Sequence, residues 1–259
     1  MSVLTLIIIF TLLGGVLSVL AASVFLLFAE EKRNRMLPHG VSFATGALLS
    51  VSFSGLIPHA FTAATEESIH SISMVILIGI LSFFLLEKLL LWRHCHAGDC
   101  EAHIPEDGPA NHPAATLILC GDALHNFVDG ILIAAAFLTD IHLGVVTSLA
   151  VAAHEIPQEV GDFAILLQSG YARGKALIYN MLASLTTVIG GLVAYFSLER
   201  LEQALPYILA LAASSFIYIA VADLIPTLHK KTDAKATIHQ ILLIGVGVLL
   251  IYWTHRFAH

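Results

Sequence analysis

Two stretches of the chain set metal-ligating side chains inside otherwise apolar sequence. DALHNFVDGILIAAAFL carries His125, Asn126 and Asp129, and AVAAHEIPQEVGDFAILL carries His154, Glu155, Gln158, Glu159 and Asp162. On an α-helix, positions i, i+1, i+4, i+5 and i+8 share one broad face, so the five polar groups of the second stretch point the same way. In the first stretch Asn126 and Asp129 are a turn apart and His125 stands over the same turn. Imidazoles, carboxylates and carboxamides together form a borderline ligand set, which suits zinc and iron(II) better than calcium or magnesium, whose sites use oxygen almost alone. His125, Asp129, His154 and Glu155 lead as ligands. Glu159 and Asp162 can serve as a proton or second-metal position, or brace the ligands proper.

The elements that must position these residues are read from hydropathy. The chain is 58% hydrophobic and 12% charged, with mean hydropathy +0.87, against roughly 45–50% and about 25% in an ordinary soluble domain. Apolar runs recur near 3–28, 39–61, 72–92, 114–138, 142–169, 175–197, 205–228 and 237–256, each close to the ~20 residues that cross a hydrocarbon core. The expected fold is therefore an all-α integral membrane bundle of eight helices, a single transmembrane domain over 1–259. The first run has no basic n-region and outlasts the h-region of a signal peptide, so it reads as a span.

Inside a bilayer an ionised side chain at mid-helix costs about 2.5–3.5 kcal/mol. Asp129, Glu155, Glu159 and Asp162 have no Lys or Arg beside them in the apolar parts of their helices, so protons, a bound cation or both must neutralise them. Pro157 removes a backbone donor and crowds the Ala153 carbonyl, which predicts a bend where the ligands begin. Gly130 and Gly161, beside Asp129 and Asp162, allow close helix approach. Isolated His59, Asn180 and Asp223 read as hydrogen-bonding links between helices.

Basic residues cluster in alternate connections: Lys32, Arg33 and Arg35; Lys88 and Arg93; Arg173 and Lys175; Lys230, Lys231 and Lys235. Such loops stay cytoplasmic, which puts both termini outside and fits a multi-pass protein of the plasma (inner) membrane. The net charge of −7, with no basic stripe or aromatic ladder, excludes nucleic acid as a partner. The segment 93–113, RHCHAGDCEAHIPEDGPANHP, is too polar and too rich in Gly and Pro to span. On the cytoplasmic side its thiols stay reduced. His94, Cys95, His96, Cys100 and His103 then form either an auxiliary metal-collecting loop or part of a polar linker.

The paired motifs, HNFVDG at 125–130 and HEIPQEVGD at 154–162, resemble those of the ZIP family of zinc and iron transporters, closest to its branch with HExPxExGD in the fifth helix. The resemblance covers essentially the whole chain. It implies a binuclear metal centre between helices four and five, entered from outside and emptied to the cytoplasm, with His125, Asn126, Asp129, His154, Glu155 and Gln158 as ligands in a 3+2+3 inverted-repeat bundle. Zinc is the implied substrate, with iron, manganese or cadmium behind it. LIPHA at 56–60 and LIPTLH at 224–229 echo such a repeat. Two departures stand out. Position 158, commonly His in that branch, is Gln158, which loosens one metal position. Position 128, often Pro in the wider family, is Val128, so helix four is expected to be straighter.

Competing functions are weighed on the same residues. An intramembrane metalloprotease would use H-E-x-x-H, whose second His is Gln158 here, and another metal-dependent membrane hydrolase has no motif at all. A proton or cation exchanger could shuttle protons on the same groups. The partners that the reading allows are the divalent ion, membrane lipid and a second copy of the chain in a homodimer, and no enzyme activity is expected.

Overall fold

The computed structural model describes residues 1–62, 66–95, 112–198, 202–230 and 233–257. Every described element is helical, and the elements join into eight long helices. α1 is Val3–Gly14 continued past Gly15 by Val16–Phe25. α2 is Glu30–Ser50 continued through Val51–Leu56 and Ile57–Thr62. α3 is Glu66–Cys95, α4 His112–Thr139, α5 Ile141–Gln168 and α6 Arg173–Leu198. α7 is Leu205–Tyr218 continued through Ile219–Leu224 and Ile225–His229, and α8 is Ala234–Phe257.

Among the described residues, seven helices are long and apolar enough to cross a membrane. The eighth, α5, has the length, 28 residues, but Glu155, Glu159 and Asp162 interrupt its apolar run. The chain is an all-α, multi-pass integral membrane protein. Helix ends differ most from the sequence expectation at α2 and α3, which begin at Glu30 and Glu66, before the expected 39 and 72. A helix leaving the bilayer keeps its backbone bonds while its side chains turn polar, so hydropathy marks only the immersed part. For the same reason α3 runs on to Cys95, so Arg93, His94 and Cys95 are helical rather than loop. His96, Cys100 and His103 lie outside the described residues.

The helices pack as two groups. α1, α4, α5 and α6 contact one another, and α2 holds α8 and α7, with α3 on α7. In the second group Ser50 Oγ donates to the Val248 carbonyl at 3.1 Å and Ser214 Oγ to that of Ile76 at 3.1 Å. The groups meet where α5 runs along α2 and α8, and α4 along α7. Only 11% of the apolar stretch of α3 and of α8 is buried, against 67% for α2 and 50% for α7. α3 and α8 are thus peripheral.

α2 and α7 share a local irregularity. Each widens into a π turn, Val51–Leu56 and Ile219–Leu224, ending just before an Ile-Pro pair. Pro58 and Pro226 cannot donate to the preceding turn, and the residue before each donates five residues back: Ile57 to the Ser52 carbonyl, Ile225 to that of Ala220. π turns of this kind often mark functional sites.

Candidate metal centre

α4 and α6 bring the site's first wall into place. A Cβ on Gly130 would collide with the Thr187 carbonyl, and one on Gly190 with that of Phe127, so glycine at both positions lets the backbones touch beside Asp129. Gly161 has open space around it and plays no such part. α5 forms the second wall and stays helical through Pro157.

Across these walls four side chains converge. His125 Nε2 lies 3.3 Å from His154 Nε2, 3.3 Å from Glu155 Oε1 and 3.8 Å from Asp129 Oδ2. His154 Nε2 lies 3.3 Å from Asp129 Oδ2 and 3.6 Å from Glu155 Oε1. One ligand atom from each residue fits within a 4.8 Å spread. Ligands held about 2.0–2.2 Å from a tetrahedral zinc stand roughly 3.3–3.6 Å from one another. Four separations, of 3.3–3.6 Å, match tetrahedron edges, the His125–Asp129 edge is slightly open at 3.8 Å, and the two carboxylate oxygens lie within 4.8 Å of each other.

The chemistry of the atoms agrees with the distances. Both oxygens of Asp129 and both of Glu155 are buried without a hydrogen-bond partner, although imidazole nitrogens lie close by. Among the described residues the rings bond each other at Nε2 while the carboxylate oxygens bond nothing, an arrangement that costs free energy unless something fills the centre. The Nδ1–H of His154 donates to the Ala150 carbonyl at 3.2 Å, which leaves the lone pair of a neutral ring on Nε2, facing the cluster. Two carboxylates and two neutral imidazoles carry a charge that one divalent cation cancels. Asp129, His154 and Glu155 are at most 1% exposed at the side chain, whereas His125 is 22% exposed and forms the open side.

The remaining expected site residues divide. Asn126 is turned away: its Nδ2 donates to Asp122 Oδ1 at 2.9 Å and its Oδ1 accepts from Thr187 Oγ1 at 2.7 Å. Gln158 is half-buried one turn after His154. Glu159 is buried and accepts at Oε1 from Ser184 Oγ at 2.8 Å, and Asp162 is half-buried. His59 bonds through Nδ1 to the Gly55 carbonyl of its own helix at 2.8 Å. Asn180 is buried with no partner on its amide, so the expected interhelical bond is not made there.

Sequence reasoning missed Asp122, Ser184 and Thr187, all at most 5% exposed. Asp122 had a signal, since 122, 126 and 129 follow the i, i+4, i+7 stripe of one face. The hydroxyls of α6 had none, because Ser and Thr bond their own backbone in any membrane helix.

The model of the ZIP zinc transporter family matches residues 93–254, which takes in α4 to α7, most of α8 and the whole cluster. The chain belongs to the ZIP family. Among curated ZIP relatives, the zinc transporter ZIP13 of Pongo abelii is 30% identical over 227 residues, 82% of this chain and 64% of that protein. The zinc transporter zipt-7.2 of Caenorhabditis elegans is 37% identical over 142 residues, 53% of this chain and 31% of its own length. The human zinc transporter ZIP4 is 39% identical over 139 residues, 52% of this chain and 21% of its own length. The chain thus spans less than two thirds of the length of these ZIP relatives.

Proposed function

We propose that this ZIP-family chain carries a divalent transition metal, zinc first, across a membrane into the cytoplasm, taking the ion at His125, Asp129, His154 and Glu155. The observation that carries the reading is the four-residue cluster. Its ligand atoms lie within 4.8 Å of one another, with four separations near those of a tetrahedron, and its four carboxylate oxygens are buried without hydrogen-bond partners among the described residues. The names of the relatives support zinc as substrate. Two nitrogen and two oxygen donors would also accept iron(II), manganese or cadmium. Asn126 would become a ligand only after leaving Asp122, and Gln158, one turn after His154, is a further candidate ligand.

In this reading the ion enters from the outer face, displaces protons from the carboxylates, and leaves inward when the group holding α4 and α5 shifts against the group holding α2 and α7. The basic connections support an orientation with both termini outside the cytoplasm, in keeping with a plasma membrane. The matched π turns of α2 and α7 support a 3+2+3 repeat that would make the two groups symmetric partners in such a shift. A homodimer would use the lipid-facing sides of peripheral helices such as α3 or α8.

Zinc uptake into proteoliposomes tests the proposal. The expected result is saturable uptake that His154→Ala abolishes. Stoichiometric zinc binding without uptake by the native chain would overturn it.

A further inference from the structure

On the face of α5 away from the cluster, an apolar groove of ≈ 390 Å³ runs between the two helix groups. Phe25 of α1, Met36, Gly40 and Phe43 of α2, and Pro157 and Val160 of α5 line it, with His39 among its walls. The groove lies at the basic end of α2, and contacts link the charge to the cleft. Lys32 Nζ sits 4.7 Å over the ring of Phe28, and Phe28 packs edge-on against Phe25 at 6.1 Å. Arg33 Nη1 donates to the Leu26 carbonyl at the end of α1, at 3.1 Å. His239 of α8 packs against His39 at 6.1 Å, one turn beyond Lys235. At about 100° per residue, Lys32, Met36, His39, Gly40 and Phe43 fall on one face of α2, while Glu31 falls on the other. The cation is on the groove side and the acid is not.

We propose that this groove binds one anionic phospholipid, with an acyl chain between α2 and α5 and the phosphate at Lys32 and Arg33. The shape argues against a protein occupant, because a helix about 10–12 Å across would fill ≈ 390 Å³ in about one turn. Basic side chains at a membrane surface favour anionic headgroups, and clefts between helices with a basic rim hold them. A lipid seated there touches both helix groups at once.

The test reads lipid and not transport, so its outcome is separate from that of the uptake reading. The purified full chain is titrated with phosphatidylglycerol or phosphatidylcholine and the retained lipid is counted by native mass spectrometry. The expected result is preferential retention of phosphatidylglycerol, lowered about fivefold by Lys32→Gln and unaffected by Lys175→Gln, which removes a charge elsewhere. Gly40→Leu fills the groove, since a Cβ there meets only Pro157 Cγ at 3.8 Å, and should release both lipids. As a second measurement, Phe43→Trp in phosphatidylcholine vesicles should be quenched more by brominated phosphatidylglycerol than by brominated phosphatidylcholine. Equal retention of the two lipids by the native chain, an equal loss in Lys32→Gln and Lys175→Gln, or equal quenching would overturn the proposal.

Discussion

His154 shows how much of the centre depends on a single proton. Its Nδ1–H is held by the Ala150 carbonyl, so a neutral ring carries its lone pair on Nε2, facing Asp129 and His125 as a ligand does. His154→Gln keeps a polar side chain but loses that geometry, and isothermal titration should show zinc affinity reduced by at least about a hundredfold, the upper end of the loss seen when even an outer-shell partner is removed. Gln158 supplies the opposite experiment. It lies half-buried one turn after His154, and Gln158→His would put a third imidazole on that face. Zinc and cadmium affinity should rise, by about tenfold for one added soft ligand, with manganese unchanged. Equal gains for all three metals would mean that residue 158 acts through packing rather than coordination.

At the scale of elements, α6 contributes no metal ligand yet sets where α4 stands. Thr187 bonds Asn126, which in turn bonds Asp122, and Ser184 bonds Glu159, so one stripe of α6 braces both walls of the site. Thr187→Val should cost about 1–3 kcal/mol by leaving the Asn126 carbonyl buried and unsatisfied, visible as a lower thermal midpoint in detergent. The site's walls were legible in the sequence because charge in an apolar run stands out. The brace was not, because hydroxyls are compatible with any membrane helix. The helices themselves were legible wherever they are immersed, but α2 was read as starting near residue 39, since Glu31, Lys32 and Arg35 look like a loop to a hydropathy scale and like a wetted helix turn to the backbone. The LIPHA and LIPTLH echo proved to mark matched π turns, a feature that sequence pattern alone cannot distinguish from chance.

At the scale of the molecule, the site sits in one helix group and its cover belongs partly to the other. His154 of α5 packs its ring 6.1 Å from Phe216 of α7, so in the proposed reading α7 covers that side of the cluster and release past it calls for the groups to move apart. The seam between α2 and α5 offers a way to lock them. A Cβ on Gly40 would lie 3.8 Å from Pro157 Cγ, so residues 40 and 157 face each other across the seam, where a disulfide needs ~3.5–4.5 Å between Cβ atoms. Gly40→Cys combined with Pro157→Cys should, once oxidised, hold α2 to α5 and stop zinc uptake into proteoliposomes, while zinc binding to the detergent-solubilised protein persists. Reduction should restore uptake. Full uptake in the oxidised form would show that the ion passes through a fixed bundle, with His125 as a gate opened by its side chain alone.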